Sequence, residues 1–247
     1  MTHILQITPV DHDAELDRLA SRYRSANRGA VQVLNAVGGQ AEMLLDQMPD
    51  PVRRGLTTAI EDALHLCISA AGRSRRVVPD QGDWLNRAAA TAMGAVGGAG
   101  GLASSLVELP MTTTLLFRSI QEVAARYGFD PAAETTKFDT LRVFAAAGPL
   151  CHDDGADTVF LTARLSITGP MISGMIRKVA PRLSVVLGQK LGTQLVPVLG
   201  AIAGATTNYI YARYYVQIAC VQFGLRRLAL DTGLPDNELV ARLRDRM

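Results

Sequence analysis

Three polar groupings stand out in a chain whose long middle stretches carry almost no charge. The first is Glu108, Arg118, Gln121 and Glu122. Arg118 and Glu122 are four residues apart and share a helix face. Glu108 is the only charge in the 30 residues between Arg87 and Arg118. A carboxylate in such surroundings must be paired, or its pKa must rise. That chemistry has two readings: a buried structural ion pair, or acid–base work on a lipid-like substrate in a closed apolar pocket. The second grouping is His152, Asp153 and Asp154 with Asp157. Imidazole and carboxylates are ligands for a divalent metal. Consecutive residues of one loop rarely converge on one ion, so a solvated connector is the competing reading. The third is Lys190, Gln194 and Asn208, which border or lie inside an uncharged run. Asn208 there must find hydrogen bonds.

Familiar catalytic spacings are missing. The chain has no G-x-x-x-x-G-K-[ST], no H-E-x-x-H, no G-x-S-x-G and no C-x-x-C. The string GAVGGAG around Gly94, Gly97 and Gly98 has no strand before it, which excludes a dinucleotide fold. Cys67, Cys151 and Cys220 read as reduced, buried thiols. No cofactor is expected.

The elements that position these groups read as helices. Residues 12–28 place Leu16, Leu19, Ala20 and Tyr23 on one face, and 30–48 continue beyond them, interrupted at Gly38-Gly39. Asp50-Pro51 opens a helix with Ile60, Leu64 and Ile68 at four-residue steps. It is expected to end near Gly72, leaving Arg73, Arg75 and Arg76 as a solvated basic end or a contact for anionic lipid. Ala88–Val107 is uncharged over 20 residues, with a break expected at 97–101. A helix then starts near 103 or 110, carries Leu116, Ile120, Val123, Ala124 and Tyr127, and stops at Gly128. Pro110 implies a bend, with Glu108 capping the helix after it. Asp130-Pro131 opens a helix through Phe138, Leu141, Val143 and Phe144. Beyond the 150s loop the chain is helical again from Val159, broken at Gly169-Pro170. Between Lys190 and Arg213 lies a second uncharged run of 22 residues, containing Pro197 and a Gly200–Gly204 step that repeats Gly97–Gly101. An amphipathic helix with Tyr209, Tyr211, Tyr214 and Tyr215 follows over 206–230, then a short charged helix after Leu234-Pro235. No sustained period-2 alternation occurs, so the fold class is all-α, a multi-helix bundle with a Gly/Ala-rich apolar core. Trp84 and the tyrosines are interface anchors or core residues.

Composition limits the function. The 247 residues carry a net charge of +2, which excludes a strongly basic nucleic-acid binder. With 48% hydrophobic residues but only 5% aromatic ones, the apolar content is small and aliphatic. A mean hydropathy of +0.15 is high for a soluble protein. The uncharged runs match a membrane span in length, but Gly, Ala, Ser and Thr give too little transfer energy for stable spanning. The N-terminus, short and acidic where an export signal is basic and then apolar, points to a cytoplasmic location.

The run MGAVGGAGGLASSLVELPMTTTLLFRSIQEVAARYGFDP resembles the signature of the EcsC family. Phe144 to Gly148 followed by the acidic loop, and then Lys190, Pro197, Val198, Gly200, Ala201, Gly204, Ala205 and Asn208, match further elements in the same order. The resemblance spans roughly 80–225. It divides the chain into an N-terminal helical region (1–79), a core (80–230) and a C-terminal helix (231–247). It implies a fold but little chemistry; some members carry protease-like names, yet no nucleophile–base pair is visible here. The expected role is therefore non-enzymatic: a peripheral protein on the inner face of the cytoplasmic membrane, binding lipid, an apolar ligand or a membrane-protein partner. The alternative is a helical hydrolase acting through Glu108, Arg118 and Glu122.

Overall fold

A computed structural model describes residues 11–37, 50–77, 83–99, 101–146, 172–177, 180 and 197–247. Among these residues every regular element is helical and none is a strand, so the chain is all-α. The helices are α1 (His12–Val37), α2 (Asp50–Val77), α3 (Asp83–Ala99), α4 (Gly101–Arg126), α5 (Glu134–Ala146), α6 (Pro197–Thr232) and α7 (Asp236–Arg244), with a short helical stretch at 172–177.

Local chemistry explains the ends. The Asp11 carboxylate accepts the backbone N–H groups of Asp13 and Ala14, both at 3.1 Å, and so caps α1. At the end of α4, Gly128 adopts φ +83°. Its N–H reaches the Ala125 carbonyl at 2.9 Å, and the Phe129 N–H reaches that of Ala124 at 3.0 Å. That is the helix stop expected of a glycine in the left-handed region. The expected faces are buried: Leu16, Leu19, Ala20 and Tyr23 on α1; Ile60, Leu64 and Ile68 on α2; Leu116, Ile120, Val123 and Ala124 on α4; Phe138, Leu141, Val143 and Phe144 on α5.

Several boundaries differ from the sequence reading. α2 passes through Gly72 to Val77, because the Ser74 hydroxyl donates to the Ala71 carbonyl at 2.8 Å and is itself held by α4 (below). α4 is unbroken from Gly101 through Pro110. No helix starts at Pro110, and the capping role expected of Glu108 is wrong: Glu108 lies in the interior of a continuous helix. The Pro110 carbonyl accepts the Thr114 hydroxyl at 2.7 Å and the Cys67 thiol at 3.2 Å, which ties α4 to α2 at this level. Asp130 makes a turn ahead of α5, accepting the Ala132 N–H at 2.9 Å, and the helix starts only at Glu134. α6 is described from Pro197 onward, so the kink expected there lies at the edge of the described residues. Nor is α6 amphipathic as expected: residues 218–225 are buried on every side, because α1, α3, α4 and α5 all pack against it.

Cross-contacts fix the directions. Cys67 meets Pro110 and Ser74 meets Arg118, so α2 and α4 run parallel. Asn208 meets Thr112 and Phe223 meets Phe129 (centroids 5.7 Å), so α4 and α6 are parallel too. α3, α5 and α1 run the opposite way: Asn86 meets Glu122, Phe144 stacks on Tyr215 at 5.0 Å, and Leu19 covers Gly224. A Cβ on Gly224 would lie 2.6 Å from the Leu19 side chain, which explains glycine at this helix crossing. Since α4 and α6 are parallel and α3 leads into α4, both uncharged runs converge on one end of the bundle.

Tyrosine burial sets an alkaline limit. Burial pushes Tyr211 from 10.0 up to about 12 and holds Tyr215 well above its ordinary value. A folded-state pKa above the unfolded one stabilises the fold fully below pH 10, and that stability is lost as pH rises toward the folded value. Denaturant stability should fall steeply between pH 10 and about 12, and Tyr211→Phe should lessen the fall. An equally steep fall in Tyr211→Phe would show that its phenol is not a cause.

Candidate functional site

Arg118, Ser119, Gln121 and Glu122 occupy four of five consecutive positions on α4, yet none is more than 5% exposed. Helical periodicity turns them toward different neighbours. Arg118 donates from Nη1 to the Ser74 Oγ at 2.9 Å. Glu122 Oε2 accepts from Asn86 Nδ2 at 2.7 Å. Ser74 lies on the last turn of α2 and Asn86 on the first turn of α3. The cation thus faces a helix C-terminus and the anion a helix N-terminus, the favourable arrangement for both macrodipoles.

A second layer lies one to two turns toward the uncharged end. Asn208, 3% exposed, donates from Nδ2 to the Ala90 carbonyl at 3.0 Å and to Thr112 Oγ1 at 3.4 Å. It ties α6, α3 and α4 together, in keeping with the requirement that a buried amide be satisfied. Lys190, Gln194, His152, Asp153, Asp154 and Asp157 lie outside the described residues. Glu108 is described by its backbone alone. Of the expected polar cluster, then, Arg118 and Glu122 sit one turn apart on α4, bound to Ser74 and Asn86 respectively, while Asn208 forms a separate lock. Among the described residues, no group of three or more metal-ligating side chains gathers.

A third cluster was not anticipated. Asp139 on α5 is 5% exposed and accepts a short hydrogen bond from Arg226 Nη1 on α6. Arg142, 6% exposed, approaches the other carboxylate oxygen at 3.6 Å. The Arg226 guanidinium also sits 4.5 Å from the centroid of the Phe129 ring. Burial pushes the Asp139 carboxyl above its ordinary value against the pull of both guanidiniums, and pushes Arg142 down. Asp139 and Arg142 share one sector of α5 three residues apart, which in sequence reads as a solvated face, so local spacing gave no signal of their burial.

Gln121 departs from polar satisfaction at both of its polar side-chain atoms. It is 0% exposed, and neither Nε2 nor Oε1 meets a hydrogen-bond partner; Gln222 Oε1 on α6 is in the same state. An unpaired buried amide costs about 1–3 kcal/mol. Gln121→Met keeps the shape and removes that penalty, so it should stabilise the fold by about 1 kcal/mol in chemical denaturation. A loss of stability would mean that the amide is satisfied in the folded protein.

Cys67 and Cys220 are buried thiols. Burial pushes the Cys67 thiol up, which makes it a poor nucleophile. Arg118 and Glu122 are closed to solvent and hydrogen-bonded to scaffold residues, so the hydrolase alternative draws no support from their setting.

What the fold and these clusters define is an all-helical protein whose polar interior staples helices to one another. The sequence matches the EcsC protein family over residues 73–228, more than half of the chain, and the protein belongs to that family. Ser74, Asn86, Arg118, Gln121, Glu122, Asp139, Arg142, Asn208 and Arg226 all lie within the match; α1 and α7 lie outside it. No curated protein and no solved structure matches the chain.

Proposed function

We propose that this EcsC-family protein is a non-enzymatic, peripheral protein of the cytoplasmic membrane face, meeting lipid with apolar side chains from three parallel helices. The observation that carries the reading is the position of Leu66 (61% exposed), Met111 (55%) and Tyr209 (45%). Leu66 precedes Cys67, which touches Pro110; Met111 follows Pro110; Tyr209 follows Asn208, which touches Thr112. The three therefore share one level of α2, α4 and α6. Complete transfer of such a side chain from water contributes about 1.5–3 kcal/mol, so partial insertion of three supports reversible binding. No helix of the described residues is long and apolar enough to cross a membrane, in keeping with attachment and not spanning.

Flotation with phospholipid vesicles tests this reading. The wild-type protein should float in part and be released by carbonate. Leu66→Gln with Met111→Gln should remain at the bottom of the gradient while melting at the wild-type temperature, since both side chains are exposed. Wild-type protein that never floats would end the membrane reading.

A further inference from the structure

We infer that the bilayer met by this surface is an anionic one, recognised by a one-signed arginine band beside the apolar tier; this rests on the peripheral-membrane reading above. The segments of α2, α3, α4 and α6 next to the tier are 66–77, 84–99, 109–121 and 197–230; the acids Asp83, Glu108, Glu122 and Asp231 stand at their ends, and the segments themselves contain no Asp, Glu or Lys. They do contain Arg73, Arg75, Arg76, Arg87, Arg118, Arg213, Arg226 and Arg227. Three of these are engaged inside the fold or along it: Arg118 with Ser74, Arg226 with Asp139 and Arg227 with Asp231.

The placement of the others follows from helix geometry. Arg73 is exposed and seven residues beyond Leu66, close to two full turns, so it rises from the same face about 10 Å further along α2. Arg213 is exposed and one turn, about 6 Å, beyond Tyr209 on α6. Because α2 and α6 are both parallel to α4, both arginines are displaced from the apolar tier in the same direction. Arg87, partly exposed, lies three residues before Ala90 on the antiparallel α3, which moves it the same way. Arg75 and Arg76 occupy the last turn of α2, continuing that direction. On the other side of the tier the nearest acid on α2 is the exposed Asp62, one turn before Leu66, and it bounds the band. Apolar side chains flanked on one side by these arginines, with Asp83 beyond Arg87 at the start of α3, match an interface in which the former enter the acyl boundary and the latter reach lipid phosphates. A polyanionic protein or nucleic acid would pair with the arginines but leave Leu66, Met111 and Tyr209 in water.

The test compares full-length protein on vesicles of phosphatidylcholine alone and of phosphatidylcholine mixed with phosphatidylglycerol. Partitioning should be stronger on the mixed vesicles, and the difference should shrink with added salt. Arg73→Gln and Arg213→Gln should each lower partitioning onto mixed vesicles about fivefold, while leaving partitioning onto phosphatidylcholine alone unchanged. Leu66→Gln with Met111→Gln should reduce both. Equal binding of wild-type protein to the two vesicle types, or arginine variants that bind mixed vesicles like wild type, overturns the anionic-lipid inference and leaves the membrane reading standing. Absence of binding to either vesicle, or a Leu66-dependent dimer in solution in its place, overturns both.

Discussion

Asp139→Ala should destabilise the protein by about 3–5 kcal/mol, among the largest effects of any single polar substitution. Asp139 is the carboxylate shared by Arg226 and by Arg142. Taking two charges out of water is expensive, and their attraction offsets the penalty only while the pair is intact. Removing the anion leaves Arg142, 6% exposed, deprived of this counter-charge at the α5–α6 contact. The raised pKa of Asp139 and the lowered one of Arg142 both have burial as their main cause, so the intact cluster adds little net stability. A triple change, Asp139→Leu, Arg142→Met and Arg226→Met, should therefore come close to wild-type stability, within about 1–2 kcal/mol. Urea denaturation of the single and triple variants separates the two outcomes. A mild single variant would show that water reaches the cluster.

Glu122→Ala should cost about 3 kcal/mol or more. It strands the Asn86 amide, 2.7 Å away, and removes the anion one turn from the buried Arg118. Glu122→Gln retains an acceptor of the same size and should cost about 1–2 kcal/mol. The order matters for function. A structural carboxylate predicts that the alanine variant is worse than the glutamine variant in thermal unfolding. A catalytic one predicts an undisturbed fold in Glu122→Gln. Equal melting temperatures for wild type and both variants would remove Glu122 from the scaffold and reopen the hydrolase alternative.

Much of this architecture is legible in the residues themselves. Period-3.6 positions such as Ile60, Leu64 and Ile68 point inward because an apolar stripe has one way to leave water. Gly128 stops α4 because its φ of +83° is easy only for glycine. Pro110 misled, since proline breaks an isolated helix, but here α2, α3 and α6 pack against α4 and the helix continues through it. Glu108 was read as a cap for the same reason. The pairing of Arg118 and Glu122 on one face follows from their spacing, while their partners Ser74 and Asn86 lie 44 and 36 residues away and follow only from topology. Asp139 and Arg226, 87 residues apart, meet only because α5 runs back along α6. As an i,i+3 pair, Asp139 and Arg142 look like a solvated helix face, and only the packing of α5 against α4 and α6 buries them.

The apolar tier was the least legible feature. Leu66, Met111 and Tyr209 come from three separated helices, and each alone is an ordinary exposed side chain. Only the parallel course of α2, α4 and α6 places them at one level. The fourth large exposed hydrophobic, Leu230 (58% exposed), lies near the far end of α6 and gives an internal control. With the single native tryptophan replaced by Trp84→Phe, tryptophan is introduced at one site or the other, as Met111→Trp or Leu230→Trp. Each protein is then bound to phosphatidylglycerol-containing vesicles whose acyl chains are brominated. Strong quenching of the Met111→Trp emission with little quenching of Leu230→Trp is the predicted result. Equal quenching at the two positions, or none at Met111→Trp while the protein is vesicle-bound, would contradict it.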